Sequence, residues 1–126
     1  MGEIKGCLMS GMEKAQHFLS MEEYQDRIES AVGFRPFPGT LNLEVDPERA
    51  RRLKQSLEEK RVDSFDKDGK SFGGLSAYPV EFNGRKAAVL EIDRSDYGDE
   101  ILELIAKEEL RENLGLKDGD EVVLNW

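Results

Sequence analysis

The sequence predicts a mainly β chain with short helices, a compact barrel with helical trim, and three observations carry that expectation. Short runs alternate apolar and polar residues with a period of two, as in Gly39-Thr40-Leu41-Asn42-Leu43-Glu44-Val45 and from Arg85 to Asp93. Asn83-Gly84 and Asp68-Gly69 suit tight two-residue hairpins, which break the strand-helix alternation that a doubly wound parallel sheet needs. Only two or three helical patterns lie between the strands. With 126 residues, 38% of them apolar, the chain is expected to form one domain, 1–126, and to bury a core without disulfides or metal staples.

Residues 3–10 read as a first strand, with Gly6 marking a bulge or a close backbone approach. Gly11 to Phe18 reads as a loop opening on glycine, where main-chain N–H groups can turn toward an anion and Lys14 adds charge. The loop carries neither the phosphate-loop pattern ending in Gly-Lys-Ser/Thr nor Gly-x-Gly-x-x-Gly, so as a phosphate site it is a weak signal. Ser20-Met21-Glu22-Glu23 has the pattern of a capping box and predicts a helix from about Met21. Met21, Tyr24, Ile28 and Val32 would be its buried stripe, and Gly33 its stop. The turn segment Phe34-Arg35-Pro36-Phe37-Pro38 leads into the strand at 39–45.

Asp46-Pro47 pairs a capping carboxylate with proline at the first helical position, and Ala50, Leu53 and Leu57 supply that helix's inner stripe. Its basic residues Arg49, Arg51, Arg52 and Lys54 are interleaved with acids and read as a solvated face. A strand with paired glycines follows over 72–82, and the Asn83-Gly84 turn returns it over 85–93. From Ser95 to Gly115 the period is ambiguous; a strand to about Ala106, then a short helix from about Lys107 to Leu114 stopped by Gly115, fits best. Leu116 to Asp120 is a turn, and Glu121 to Trp126 closes the chain as a strand.

Charge and composition exclude several classes. A net charge of −9 argues against nucleic acid as a partner, because that affinity comes from Lys and Arg neutralising phosphates. No apolar run approaches the length of a membrane span, and Met1-Gly2-Glu3-Ile4-Lys5 does not open a cleavable signal. One cysteine, Cys7, cannot form an internal disulfide, so a reducing cytoplasm is the expected compartment and a small buried apolar role the expected use of Cys7. His17 lacks partners at ligand spacing and reads as a packing or surface residue.

On the strand at 39–45, Leu41, Leu43 and Val45 face one side, and Thr40, Asn42 and Glu44 the other. Thr40 and Asn42 thus set two neutral oxygens side by side, with Cα atoms roughly 6.6 Å apart by strand rise. Such a pair can hold a hydrated Mg²⁺, which takes hard oxygens and keeps its waters and phosphates. The same residues also read as the polar outer face of a half-buried strand.

The collinear order Gly6…Ser10-Gly11…Phe18-Leu19-Ser20, Gly33 through Leu43, Phe72-Gly73-Gly74, Ile101 through Ala106 and Leu110-Arg111-Glu112…Leu116 through Asp120 resembles the archaeal-type CTP-dependent riboflavin kinases. Gly-Thr-Leu-Asn-Leu is the most specific part. The resemblance implies a single-domain cradle-loop β-barrel that makes FMN and CDP from riboflavin and CTP with Mg²⁺. It makes Thr40 and Asn42 the metal ligands. It sets Gly11, Met12, Glu13, Lys14, Ala15 and Gln16 against the nucleotide, faced by Glu108, Glu109, Leu110, Arg111, Glu112 and Asn113. Ser95 and Glu103 fall where the family contacts the flavin. Four positions depart from the family pattern: Glu13 stands for a glycine, Lys14 for an acid, Lys107 for a proline and Ser95 for a threonine. No general base is identifiable, and a cytoplasmic monomer without nucleic-acid or membrane partners is expected. The rival readings are a regulatory barrel that binds nucleotide or flavin without turnover and an interaction barrel, the latter opposed by the acidic charge balance.

Overall fold

Alternation builds the barrel. Along β1 (Glu3–Met9) the buried positions are Ile4, Gly6 and Leu8, and along β2 (Leu41–Glu44) Leu41 and Leu43 point to the same interior. The computed structural model describes residues 2–10, 14–93 and 98–126; Gly11, Met12, Glu13 and Ser95 lie outside them, as do the side chains of Lys14 and Ala15. The strands β6 (Leu75–Phe82), β7 (Arg85–Ile92), β8 (Ile101–Ala106), β2, β1 and β9 (Glu121–Asn125) pair antiparallel in that order, and β9 returns to β6 to close the ring. One edge of β6 is shared: Leu75 to Ala77 pair with β3 (Lys60–Val62), while Glu81 and Phe82 pair with β9. The architecture is the mainly β barrel with short helices that the sequence predicts.

Register sorts the side chains into two cores, because residues directly opposite in antiparallel strands share a face. Leu8, Leu43 and Leu102 form one interior row, and Leu41, Leu104, Val89 and Tyr78 another. On the outside, α2 (Glu22–Val32) lays Tyr24 and Ile28 over Leu75, Ala77, Ala88, Leu90 and Ile105. Being covered on both faces, the middle of β7 from Ala87 to Leu90 is buried without alternation. Helix α3 (Pro47–Ser56) adds Ala50 and Leu53 to the interior core, and α4 (Leu110–Asn113) adds Leu110.

Both predicted hairpins form with positive φ at each central residue, 51° and 75° at Asp68-Gly69 and 53° and 74° at Asn83-Gly84, which matches the twist of the strands they join. The first joins β4 (Phe65–Lys67) to β5 (Lys70–Phe72), a separate ribbon that docks on α2 through Phe65 and Phe72 around Tyr24. The second of the paired glycines before β6 has a packing reason. A Cβ on Gly74 would lie 2.6 Å from the Val62 carbonyl oxygen and 3.0 Å from the Ser64 nitrogen. Gly74→Ala is therefore expected to destabilise by about 1–3 kcal/mol, read by urea unfolding, because backbone must move.

Five local expectations are corrected. A helix, α1 (Lys14–Leu19), stands in part of the expected glycine-led loop. The Ser20 capping box does not form, because the Ser20 hydroxyl donates to the Gln16 carbonyl at 2.7 Å and Met21 takes the cap position without a side-chain bond. Asp46 likewise starts α3 without a side-chain cap bond, leaving Pro47 as the start signal. The helix expected from Lys107 begins at Leu110, after an extended Glu109. Cys7 is exposed: it falls between the inward positions Gly6 and Leu8. Gly33 ends α2 as expected, with φ 87° and its N–H on the Glu29 carbonyl. Among the described residues no helix is long and apolar enough to cross a membrane.

Candidate active site

The chain enters β2 through a segment short of backbone donors, since Pro36 and Pro38 have no N–H. The Phe37 N–H donates to the Ala106 carbonyl at 2.8 Å, and the Gly39 N–H closes a tight turn onto the Phe37 carbonyl at 2.9 Å. On the solvent side Arg35 reaches Glu22, Asp26 and Glu29 of α2 at 2.8, 2.7 and 3.2 Å. These bonds deliver Thr40 and Asn42 to the barrel end where β1 and β8 finish and β2 begins.

Asn42 lies opposite Met9 on β1 and Glu103 on β8, and Glu103 lies opposite Leu90 on β7. The four share the outer face. Asn42 is 7% exposed, and its Oδ1 has no hydrogen-bond partner. An orphaned buried acceptor costs about 1–3 kcal/mol, so this oxygen is waiting for a donor or a cation. Glu103, also 7% exposed, has its carboxyl pushed up to about 6 by burial, and among the described residues no cation or donor faces it. An unpartnered amide oxygen and a buried carboxyl thus stand on neighbouring strands in register.

Thr40 and Asn42 border a cavity of about 380 Å³, within the usual range for small-molecule sites. Gln16, Glu108, Glu109, Leu110 and Arg111 line the same cavity, so these sequence-nominated residues meet from both ends of the chain. Glu112 and Asn113 do not line it; both are exposed, and the Asn113 amide is spent on the Glu109 carbonyl at 2.9 Å. Glu103 sits beside the cavity through its register with Asn42 and is not in its wall.

The electrostatics are mixed. Arg111 pairs with Asp118 at 2.9 Å, and the Ser10 hydroxyl donates to the same carboxylate. The Ser10 bond and then the Arg111 guanidinium hold the Asp118 carboxyl below the usual range. Glu108 is partly neutralised by Arg85 at 3.5 Å, while a hydrogen bond shared with Glu112 pushes the Glu109 carboxyl up. Sequence reasoning missed Asp118 as a support for Arg111, only seven residues before it, because the turn geometry that brings the two together carries no local sequence signal. It also missed Gln25, whose buried amide touches two segments of the site.

Among the described residues no group of three or more His, Cys, Asp or Glu is arranged to hold a metal ion. The Thr40 hydroxyl and the orphaned Asn42 Oδ1 are instead the neutral hard oxygens that suit a Mg²⁺ ion retaining phosphates and water. The residues fit that ion.

Comparison with known proteins places the chain in a family. A family model named for CTP-dependent riboflavin kinases, and described as a domain of unknown function, DUF120, matches residues 8–125. A riboflavin kinase of Methanosarcina acetivorans is 36% identical over 124 residues, covering 96% of this chain and 52% of that protein. One from Archaeoglobus fulgidus is 37% identical over 123 residues, with 95% and 52% covered, and one from Ignicoccus hospitalis is 39% identical over 122 residues, with 94% and 68% covered. The chain spans about half the length of the first two. The strand that carries Thr40 and Asn42, its partner carrying Glu103 and the wall ending at Arg111 all lie inside the matched span, and the chain belongs to the CTP-dependent riboflavin kinase family.

Proposed function

We propose that this chain transfers the γ-phosphate of CTP to the terminal ribityl hydroxyl of riboflavin, giving FMN and CDP, with Mg²⁺ held by Thr40 and Asn42. The observation that carries the reading is the buried, unpartnered Oδ1 of Asn42 at the edge of a cavity also lined by Gln16 and Arg111. Phosphoryl transfer asks little covalent chemistry of a protein; catalysis is positioning plus neutralisation of developing charge. When bound, the metal ion supplies that neutralisation on the triphosphate oxygens.

The protein's own groups do the rest. Gln16 and the 108–111 segment line the same cavity and orient the nucleotide. Arg111, held in place by Asp118, offers a cation to the phosphates in a protein whose overall field repels them. Glu103 accepts hydrogen bonds from the flavin substrate, at a buried carboxylate that no cation or donor faces among the described residues. Ser95 and the loop residues Gly11 to Glu13 contribute contacts to flavin and nucleotide respectively, as the family pattern implies. The ribityl oxygen forms the new bond to the γ-phosphorus, the bond from that phosphorus to the β–γ bridging oxygen breaks, and the hydroxyl proton is released to buffer.

The test is to incubate purified protein with riboflavin, Mg²⁺ and each nucleoside triphosphate in turn and to separate the flavins by chromatography. FMN formed with CTP supports the reading; binding of CTP or FMN with no turnover replaces it with a non-catalytic binding barrel. Asp118→Asn is expected to raise the KM for CTP about three- to tenfold and leave the KM for riboflavin unchanged, because only Arg111 and Ser10 lose their shared anchor.

A further inference from the structure

Building on the kinase reading, we propose that Gln25 is a positioning residue that sets the spacing between the two walls of the triphosphate site. Gln25 lies on the buried side of α2 and is 8% exposed. Its Nε2 donates to the Leu19 carbonyl at 2.6 Å and to the Pro36 carbonyl at 2.9 Å, so both amide hydrogens are used.

Each acceptor belongs to a different wall. Leu19 is the last residue of α1, the helix whose Gln16 lines the cavity. Pro36 immediately precedes Phe37, whose N–H is bonded to the Ala106 carbonyl at the end of β8, where the Glu108 to Arg111 wall begins. Four residues beyond Pro36 stands Thr40. One buried amide therefore joins the helix on the nucleotide side, the segment that delivers the metal pair and, through Phe37, the opposite wall.

The prolines and the turn leave this segment few donors to take over. Pro36 and Pro38 have no N–H, and the Gly39 N–H is spent on its own turn. The ion pairs of Arg35 bind the same segment from its solvent side, where such pairs contribute little. Without the Gln25 donor, two buried carbonyls lose their partner and must move toward water to recover one. That movement spreads the walls, and a misplacement of about 1 Å at a site that works by positioning can cost about a hundredfold. Glu103 is held by strand register and shares none of these bonds, so the flavin side is left unaffected.

The experiment compares wild type with Gln25→Met, which keeps the length and removes the donor, and with Gln25→Glu. Dissociation constants for Mg·CTP and for riboflavin are measured separately by calorimetry, beside KM and kcat for each. The expected result is a rise of about tenfold or more in the constants for CTP, with those for riboflavin within twofold of wild type. Leu53→Ala, on the buried face of α3, serves as a destabilised control and should leave the ratio of the two constants unchanged. Equal losses toward both substrates, or an unchanged constant for CTP, overturn the proposal. If both variants fail to fold, hydrogen exchange on wild type decides: Mg·CTP must slow exchange in 14–20 and 34–40 together and leave 65–72 unchanged, and protection of one segment alone overturns it. Wild type that binds Mg·CTP but makes no FMN counts against the kinase reading alone, because the clamp is judged on the dissociation constants.

Discussion

Asn42→Ala lowers FMN formation at least about a hundredfold while the protein melts within a few degrees of wild type. The two halves of that expectation have separate causes. Asn42 Oδ1 makes no hydrogen bond in the folded chain, so its removal breaks nothing and relieves an acceptor whose burial costs about 1–3 kcal/mol. Against this stands the small void left at a 7% exposed position, of similar size and opposite sign. Catalysis has no such compensation under the proposed metal assignment, in which Asn42 would supply one of the two protein oxygens that hold the ion and its loss would leave the charge developing on the phosphates unmet. Steady-state FMN assays, thermal melts and Mn²⁺ titration followed by electron paramagnetic resonance check the three parts. Near-normal turnover with unaltered metal affinity would refute the assignment of Asn42.

The second large effect is at Glu103, where stability and function are expected to move in opposite directions. Burial pushes its carboxyl up to about 6 from an ordinary value of 4.5, so the folded, ligand-free protein holds the proton more tightly than the unfolded chain does. Stability is then unaffected below about pH 4.5, falls as pH rises from about 4.5 to about 6, and stays lower above that. The full deficit is on the order of 2 kcal/mol. Glu103→Gln removes it, so the variant should match wild type near pH 4 and melt several degrees higher at pH 7.5. The same change should weaken riboflavin about 30- to 100-fold, since a charge-assisted acceptor becomes a neutral one and an amide N–H is turned toward flavin donors. Melting curves across pH 4–8 and riboflavin titrations test both. A stability gap that does not vary with pH sinks the electrostatic account of this residue.

The position of Glu103 also shows where sequence reading stops. Residues 101–106 could be read as a strand or the start of a helix, and their apolar content places them inside; nothing local says that the acid among them stands opposite Asn42. That fact belongs to the register of β2 on β8, set by Leu41 on Leu104 and Leu43 on Leu102. A slip of one residue would have turned one of the two polar groups into the barrel. Gln25 is a similar case. Within the helix it looks like an ordinary polar residue beside Tyr24, and its meaning appears only once the carbonyls of Leu19 and Pro36 converge on it. Ser20 shows the reverse error, a correct capping pattern whose hydroxyl was claimed by the turn before it.

What this sequence determined alone is whatever neighbouring residues decide between themselves. The hairpins at Asp68-Gly69 and Asn83-Gly84 follow from backbone angles those residues tolerate, the stop at Gly33 from its left-handed φ, and the faces of β2 from strand alternation. Tertiary structure alone decided which polar groups were left without partners. Orphaned oxygen on Asn42, uncompensated charge on Glu103 and the doubly used amide of Gln25 each depend on what distant segments bring, or fail to bring, within about 3 Å. Hydrogen bonding is short-ranged and burial is collective, so these demands exist only after the barrel has closed.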